Sequence, residues 1–349
     1  MIGRLLRSFK DLLRFLKWYL FVPGARLVGQ IRSTRQITYV WPQGEIALGP
    51  KVALFMHFDR RGLVRTQLLH YMRELRENGR DVVFVSNSNK IKPEALASLQ
   101  EICAGVIVRK NIGYDFGAWR DAIDYLSLPR ADTEEIICAN DSVFGPLTPL
   151  GDVLRRLDYA RADIWGLTES WQTRYHLQSF FIAFGPKAIR AEAFRKFWTS
   201  VRPVPVKSYI VKAYEIGVTQ AMMKGGLHCA ALWPYEALVK LANRAELEKL
   251  IEAEESELGK LDPVQVARKR QVLRIRDGKA KRVAQNPTSD LWRQLLISGF
   301  PFIKRELLRD NPTKVEDVGD WEEVVREELG ADPDQILLDL RTMLKGSAP

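Results

Sequence analysis

Short blocks of consecutive hydrophobic residues alternate with amphipathic stretches over much of the first half of the chain. Four blocks have the length and apolar continuity of buried strands: Lys51–Phe58, Asp81–Ser86, Val106–Arg109 and Glu135–Ala139. The spacing of apolar residues between them predicts helices at Leu63–Asn78, Pro93–Cys103 and Asp115–Leu126. Two further strands are predicted at Asp163–Leu167 and Ser179–Phe184. This alternation predicts an α/β fold whose Rossmann-like, mostly parallel sheet is covered by helices on both faces.

Composition divides the chain into three parts. Residues 1–35 form a basic arm, residues 48–240 carry the alternation of strands and helices, and residues 241–349 are predicted to form a helical region. The 349-residue chain has a net charge of +10, and eight Lys and Arg against one acid, Asp11, in residues 1–40 account for most of it. A charge concentrated in this way indicates a local role for the arm and argues against a nucleic-acid-binding protein.

The basic arm has the pattern of an amphipathic helix. Residues 2–21 place hydrophobic side chains at helical spacing with basic side chains between them, and Pro23-Gly24 ends the pattern. The longest uncharged run, Trp18–Ala25, is much shorter than the about 20 residues of a transmembrane helix. The pattern therefore predicts a helix that lies on an anionic membrane surface, which would place the protein in the cytoplasm, peripheral on the inner face of the cell membrane. The alternative is a helix packed on the main domain with its basic face in solvent.

Sequence motifs of several other protein classes are absent. The first predicted strand–helix turn, Asp59–Gly62, lacks the Gly-x-Gly-x-x-Gly of dinucleotide-binding folds, and the chain has neither a P-loop nor a Gly-x-Ser-x-Gly elbow. The four histidines show no metal-ligand spacing. The three cysteines lie in or near apolar segments, as expected for reduced core residues: Cys103, Cys138 and Cys229.

Polar residues follow each of the four predicted strands. They are His57 and Asp59 after the first, Asn87 after the second, Asn111, Gly113, Tyr114 and Asp115 after the third, and Asn140, Asp141 and Ser142 after the fourth. Because the carboxyl ends of parallel strands share one edge of the sheet, these residues are predicted to line one crevice suited to a nucleotide-linked substrate. Asp141 is the candidate ligand for a divalent cation that would hold the substrate's phosphates. Each residue also has an alternative explanation as turn or helix-cap chemistry.

Several motifs occur in the order typical of one family. They are Asn111–Trp119, Asn140–Leu147, Asp163–Thr168 and His176–Phe181, followed by Asn286–Trp292 and Gly299–Pro312. In these motifs the chain resembles the rhamnan-synthesis F family, glycosyltransferases of bacterial cell-surface polysaccharide assembly. The resemblance implies a glycosyltransferase A-like fold and a nucleoside-diphosphate sugar as donor, with rhamnose or a related deoxysugar as the transferred group. The implied acceptor is a lipid-linked or growing glycan, and the polar residues after the strands become the implied donor-binding set.

The chain departs from the wider glycosyltransferase A fold at its metal motif. That motif is usually Asp-x-Asp, whereas Asn140-Asp141-Ser142 offers a single carboxylate. A divalent cation, Mg²⁺ or Mn²⁺, is therefore an expected cofactor whose requirement the sequence leaves open.

An inverting transfer also needs a base for the acceptor hydroxyl. Analogy with glycosyltransferases that carry a catalytic acid on a late helix favours Glu215, with Asp163 and Glu169 as alternative bases; an exposed helical glutamate is the other explanation of Glu215. Three further residues are candidates for contact with the acceptor or the pyrophosphate, unless they only form a polar patch on an exposed hairpin: His176, Gln178 and Ser179.

Two other functions compete with glycosyl transfer. A single-carboxylate motif is compatible with a catalytically silent protein that organises a polysaccharide-assembly complex through its arm. A sugar-phosphate transferase would use the same nucleotide-sugar site with a phosphoryl-transfer outcome. Nucleotide binding separates the silent protein from the two enzymes, and product analysis separates the enzymes from each other.

Overall fold

The computed structural model of the protein describes residues 36–242 and 263–345. Within these ranges, nine strands form one sheet in the order β1-β4-β3-β2-β5-β9-β7-β10, with β8 paired to β7. Their bounds are β1 Ile37–Trp41, β2 Lys51–His57, β3 Asp81–Ser86, β4 Gly105–Arg109, β5 Glu135–Asn140, β7 Ile164–Ser170, β8 His176–Leu177, β9 Phe181–Phe184 and β10 Cys229–Trp233. A separate two-stranded sheet pairs β6 (Val143–Phe144) with β11 (Ile303–Lys304).

Most strands of the large sheet run parallel. β2, β3, β4 and β5 are parallel to one another, and β10 is parallel to β7. β1 is antiparallel to β4, and β9 is antiparallel to both β5 and β7. The direction of β9 follows from the short connection before it, because a parallel crossover needs a dozen or more residues and only ten residues separate β7 from β9. The predicted α/β fold with a mostly parallel sheet is confirmed.

Helices cover both faces of the sheet and make up most of the carboxyl-terminal region. They are α1 Thr66–Glu77, α2 Pro93–Ile102, α3 Tyr114–Tyr125, α4 Leu150–Leu154, α5 Pro186–Arg190, α6 Glu192–Ser200, α7 Lys207–Ile210, α8 Ile216–Lys224, α9 Tyr235–Leu241, α10 Pro263–Ala280, α11 Pro287–Asp290, α12 Trp292–Ile297, α13 Arg305–Asp310, α14 Trp321–Leu329 and α15 Asp334–Lys345. A π turn, Val211–Glu215, joins α7 to α8, and a 3₁₀ turn, Glu316–Asp320, precedes α14.

The core has one layer on each side of the sheet because successive strand residues point to opposite faces. In β2, Phe55 packs with Tyr71 of α1, at 5.1 Å between ring centroids, whereas Leu54 belongs to the opposite layer with Trp119 of α3. The indole N–H of Trp119 donates to the Leu54 carbonyl oxygen at 3.1 Å. The central strands are therefore buried on both faces, which explains their unbroken hydrophobic sequence.

The strands and helices of the first half lie close to the predicted positions, with two additions at the boundaries. β1 precedes residue 48, where the main domain was predicted to begin, yet it pairs with β4. Residues beyond 240 share the core of the sheet: Phe302 lies 4.9 Å from Tyr71 between ring centroids. The basic arm, residues 1–35, lies outside the described residues, and so does the charged segment 243–262. Within the described ranges, no helix has both the length and the hydropathy needed to span a membrane.

Candidate functional site

The carboxyl ends of the parallel strands meet at one edge of the sheet. Asn140 of β5 is level with Met56 of β2, and His57 is level with Ser86 of β3. β9 is antiparallel to both β5 and β7, so the carboxyl end of β7 lies on the same edge. This edge is called the rim below. It brings together the polar residues that follow β2, β3, β4 and β5.

The turn after β5 is held by its own side chains. The Asn140 Oδ1 atom accepts hydrogen bonds from the Ser142 backbone N–H at 3.0 Å and from the Ser142 hydroxyl at 2.6 Å. The Asn140 amide Nδ2 donates to Asp115 Oδ2 at 2.7 Å. The backbone N–H of Asp141 donates to the Met56 carbonyl at 3.1 Å, so the turn is also tied to β2. Asn140, Asp141 and Ser142 therefore both form a turn and lie at the rim.

Asp115 lies in the first turn of α3 and faces this turn. Burial, together with the charges of Asp141 and Glu215, raises the pKa of its carboxyl group to about 7 against the opposing effects of Asn140 and Lys304. The charges of two carboxylates thus act on the buried carboxyl group of a third residue at the rim. An acid whose pKa is raised by burial and by charged neighbours in a crevice is typical of a functional site.

Two cationic side chains reach the rim from the carboxyl-terminal region, and neither was predicted from the sequence as a site residue. Lys304 ends β11, which pairs with β6, and its Nζ atom donates to the Ser142 hydroxyl at 2.9 Å. Arg305 follows directly, and its Nη1 atom lies 2.9 Å from Asp141 Oδ2 and also donates to the Asp141 carbonyl. Both residues lie within the motif Gly299–Pro312 given for the family resemblance, and that motif is the sequence signal that could have pointed to them.

Glu215 is the last residue of the π turn between α7 and α8. Its side chain is half-buried, and it accepts no hydrogen bond from another residue of the described ranges. Its charge raises the pKa of Asp115 and opposes the lowering of the Lys304 pKa by burial. π turns within helices occur frequently at functional sites, and this one carries an unengaged carboxylate next to Asp115 and Lys304.

His57 and Asp59 organise the loop after β2. The His57 ring bonds the Ser86 hydroxyl and the Leu63 carbonyl, each at 3.0 Å, and burial lowers its pKa, so the imidazole is neutral near pH 7. Asp59 Oδ1 accepts from the backbone N–H of Arg61 at 2.8 Å and of Leu63 at 3.3 Å. Both residues lie at the predicted edge, but every polar side-chain group of His57 is already engaged within the protein.

The loop before α3 is supported from below by a buried arginine. Arg109 binds Asp121 Oδ2 through Nε at 2.9 Å and the Asn87 Oδ1 atom through Nη1 at 2.5 Å. Asn87 in turn donates to the Tyr114 carbonyl at 3.2 Å. Asn87 therefore positions the loop that carries Tyr114, and the Tyr114 ring itself is exposed.

Gly113 allows this loop to turn tightly into α3. Its φ of +87° lies in the left-handed region, and an added Cβ would lie 2.9 Å from the Pro203 Cα atom. Tyr114 also has a positive φ, 53°, and Asn111 two residues before Gly113 is exposed. The loop thus presents an amide and an aromatic side chain to solvent at the rim.

The two alternative bases are placed less favourably than Glu215. Asp163 precedes the first residue of β7, at the end of the strand opposite to the rim. There it accepts from the Lys187 ammonium at 3.1 Å and from the His228 backbone N–H at 2.8 Å. The structure therefore separates Asp163 from the other candidates. Glu169 lies at the rim end of β7, but its Oε1 atom accepts from the Tyr235 backbone N–H at 3.0 Å.

The three candidates for acceptor contact are buried between β7 and β9. His176 Nδ1 lies 2.8 Å from the Arg174 carbonyl oxygen. The Gln178 amide accepts from the Thr168 hydroxyl at 2.7 Å and donates to Asn286 Oδ1 at 3.1 Å, which links the sheet to the carboxyl-terminal region. Gln178 is thus engaged at both ends of its amide, and Ser179 is buried beside it.

The side chains that could bind a divalent cation at the rim are already engaged with one another. Asp141 Oδ2 already accepts from Arg305 and from the Phe58 backbone N–H at 3.3 Å. The Asn140 side-chain amide donates to Asp115, and the Lys304 ammonium lies against the Ser142 hydroxyl of the same turn. No group of three or more His, Cys, Asp or Glu side chains suited to a metal occurs in the ranges that the structure describes. As arranged, these side chains do not fit a resident divalent cation.

Parts of the chain match one family model and several known proteins in sequence. Residues 82–243 match the family model of rhamnan synthesis protein F. The uncharacterized protein y4gN of Sinorhizobium fredii (strain NBRC 101917 / NGR234) is 29% identical over 212 residues, which cover 60% of this chain and 55% of that protein. This chain therefore spans only about half the length of y4gN. Virulence protein VirA of Vibrio anguillarum (strain ATCC 68554 / 775) is 28% identical over 243 residues, 68% of this chain and 73% of VirA.

Among solved structures, the mannosyltransferase PcManGT from Pyrobaculum calidifontis in complex with GDP-Man and Mn²⁺ is 13% identical, with a TM-score of 0.36. The alignment covers 92% of this chain and 88% of that one. The resemblance seen in the motifs is thus confirmed for residues 82–243, the part of the chain that matches the family model of rhamnan synthesis protein F.

Proposed function

We propose that this protein is a glycosyltransferase of bacterial surface-polysaccharide synthesis. It transfers a sugar, rhamnose or a related deoxysugar, from a nucleoside-diphosphate sugar to a hydroxyl of a lipid-linked or growing glycan. The family match to a rhamnan synthesis protein supports the polysaccharide context. The polar rim at the carboxyl ends of a mostly parallel sheet supports the nucleotide-sugar donor, because ligands of open α/β sheets bind at that edge.

The observation that carries the proposal is the unengaged carboxylate of Glu215 beside Asp115 and Lys304. In an inverting transfer, the acceptor hydroxyl gives its proton to Glu215 while its oxygen bonds to the anomeric carbon. The bond from that carbon to the diphosphate breaks, and its electron pair leaves with the nucleoside diphosphate. A carboxylate that no other group holds is free to accept this proton.

The donor would lie along the rim between two loops. The exposed Asn111 and Tyr114 side chains offer an amide and an aromatic face to the base or sugar. The Asn140–Ser142 turn would face the diphosphate, with Asp115 between the two loops. In this arrangement Asp141 orients Arg305, and His57, Asp59 and Asn87 hold the loops in place.

Donor binding is tested by thermal unfolding in the presence of a panel of nucleoside-diphosphate sugars. A ligand at 100 times its Kd adds about 2.7 kcal/mol to the free energy of unfolding. One sugar nucleotide is expected to stabilise the protein, and product analysis with that donor separates sugar transfer from sugar-phosphate transfer. A protein that binds none of them is not a glycosyltransferase of this kind.

The base is tested by Glu215→Gln, which removes the proton acceptor and nearly preserves its shape. The value of kcat is expected to fall about 10²-fold or more with little change in donor affinity. The matched control is Glu192→Gln on α6, because Glu192 is exposed and pairs with the neighbouring Arg195 and Lys196 on the helix surface. An unchanged kcat in Glu215→Gln would remove Glu215 from the mechanism.

A further inference from the structure

We propose that Lys304 and Arg305 supply the positive charge that the leaving diphosphate requires, so that sugar transfer by this protein needs no divalent cation. The inference rests on the proposed function and deepens it. Both residues lie outside the family-matched segment 82–243, and they reach its rim only through the fold.

The backbone fixes this pair against the turn after β5. Lys304 is opposite Val143 in the two-stranded sheet, and the Arg305 backbone N–H donates to the Ser142 carbonyl at 3.0 Å. On the same segment, the Pro301 carbonyl accepts from the Leu147 N–H at 2.8 Å. An added Cβ at Gly145 would lie 2.4 Å from the Pro301 oxygen, so the two chain segments are in close backbone contact. The cations are therefore built into the rim and do not depend on flexible side-chain placement alone.

The Lys304 ammonium has hydrogen-bonding capacity to spare. It carries three N–H donors, and its one hydrogen bond to another residue of the described ranges goes to the Ser142 hydroxyl. Its Nζ atom lies 5.3 Å from the centre of the Phe180 ring, and the charges of Glu215 and Asp115 oppose the lowering of its pKa by burial. Two donors thus remain for phosphate oxygens.

Arg305 is held in a fixed orientation by Asp141. One guanidinium nitrogen binds the Asp141 carboxylate and carbonyl, and the planar fork leaves further N–H groups for a second anion. A divalent cation bound at Asp141 Oδ2 would have to displace this contact. The single carboxylate of Asn140-Asp141-Ser142 is therefore explained as an anchor for an arginine.

The chemistry of the step agrees with this assignment. When the glycosidic bond to the diphosphate breaks, the leaving oxygen gains negative charge, and fixed cations aimed at that oxygen stabilise it. A lysine acts there as a point charge and an arginine as a two-pronged donor. Together they supply two positive charges, which is the formal charge of the divalent cation that they replace.

The test compares wild-type protein, Lys304→Met and Lys304→Arg in buffer with EDTA, and again with Mn²⁺ or Mg²⁺. Lys281→Met is the control, because Lys281 is exposed and pairs with Asp277 on the protein surface. Nucleoside-diphosphate affinity is measured by calorimetry and transfer by single turnover. Wild type is expected to bind the diphosphate and to transfer sugar in EDTA. Lys304→Met is expected to lose about tenfold or more in diphosphate affinity and about 10²-fold in rate, and Lys304→Arg to recover part of both.

The outcomes separate the two proposals. Turnover by wild type that stops in EDTA and returns with Mn²⁺ overturns the cation assignment and leaves the glycosyltransferase proposal standing. Normal affinity and rate in Lys304→Met overturn it as well. A wild-type protein that binds no nucleotide sugar and no nucleoside diphosphate, with or without metal, overturns the proposed function and the inference with it. The EDTA comparison uses wild type alone, so it holds even where Lys304→Met fails to fold.

Discussion

The buried carboxyl of Asp115 predicts a pH-dependent loss of stability that Asp115→Asn should remove. The pKa of this group is raised from an ordinary value of 3.8 to about 7, first by burial and then by the charges of Asp141 and Glu215. An asparagine has nearly the same shape, and its oxygen can still accept the hydrogen bond from Asn140 that the aspartate accepts at 2.7 Å. The substitution therefore removes the ionisation and retains the contact.

The sign of the effect follows from proton binding in the two states. Between pH 4 and pH 7 the folded protein holds the proton on Asp115 whereas the unfolded chain has lost it. The folded state then binds more protons, so its stability falls as pH rises through this window and levels off above pH 7. With pKa values of about 7 folded and 3.8 unfolded, linkage removes about 2.5 kcal/mol from the free energy of unfolding between pH 5 and pH 8.

Urea unfolding of wild type and Asp115→Asn at pH 5, 6, 7 and 8 measures this difference. The variant is expected to gain about 2.5 kcal/mol on wild type between the two ends of the range. Asp132→Asn, at an exposed loop position, is the control and should follow wild type. Curves for wild type and Asp115→Asn that stay parallel from pH 5 to pH 8 would show that Asp115 ionises as freely in the folded protein as in the unfolded chain.

Three further predictions concern the loops and the arm. In Gly113→Ala, an alanine would have to adopt a φ of +87° and its Cβ would lie 2.9 Å from Pro203 Cα. Urea unfolding should therefore show that the free energy of unfolding falls by about 1–2 kcal/mol or more. Equal stability of wild type and variant would mean that the loop adjusts freely. Trp171 is exposed just beyond β7, 5.0 Å from Tyr175 between ring centroids, and offers a face for a sugar ring. Trp171→Ala should raise the acceptor KM several-fold without changing donor Kd, and a change in donor Kd alone would place it on the donor side. Removal of residues 1–22 should abolish sedimentation with anionic liposomes while nucleotide binding persists, and wild-type sedimentation should weaken as salt rises; full-length protein that ignores such liposomes would refute the membrane arm.

The sequence predicted the parts of the rim that depend on local pattern. The residues after β2, β3, β4 and β5 lie at the rim because each follows an unbroken hydrophobic strand, and parallel strands end on one side. The same reasoning could not decide whether Asp163 lies at the rim or at the opposite edge of the sheet. Polar residues occur at both ends of a strand, and only the direction of β7 shows which end lies at the rim. It also could not show that Gln178 is engaged at both ends of its amide, since one partner lies in the distant carboxyl-terminal region.

The pair Lys304 and Arg305 shows the other limit of sequence reasoning. β11 has only two residues and makes no periodic pattern, and its partner β6 lies about 160 residues earlier in the chain. Such a contact is set by tertiary packing, which neither spacing nor composition records. The strand pattern that predicted the acidic residues of the proposed site therefore could not predict Lys304 and Arg305.

The contribution of the carboxyl-terminal region to the rim raises the question whether the sheet can fold without it. Leu295, Phe300 and Phe302 are all buried in the core layer that contains Tyr71. Burial of each such side chain stabilises a fold by about 1.5–3 kcal/mol, and these three together approach the whole stability of about 5–15 kcal/mol of an ordinary protein. The predicted boundary at residue 241 therefore separates two segments of sequence that share one core.

A chain of residues 36–242 is accordingly expected to aggregate or to unfold without a cooperative transition, whereas residues 36–345 should unfold cooperatively. Calorimetry and urea unfolding of the two chains decide this, with Phe302→Ala in the longer chain as an intermediate case that should lose about 3–5 kcal/mol. A soluble 36–242 fragment with a sharp transition would show that the sheet is a domain in its own right. The carboxyl-terminal region would then be a separate unit that adds Lys304 and Arg305 to a rim that forms without it. If the fragment fails as expected, the acidic and cationic halves of the rim are products of one folding event, and the site cannot form in the family-matched segment alone.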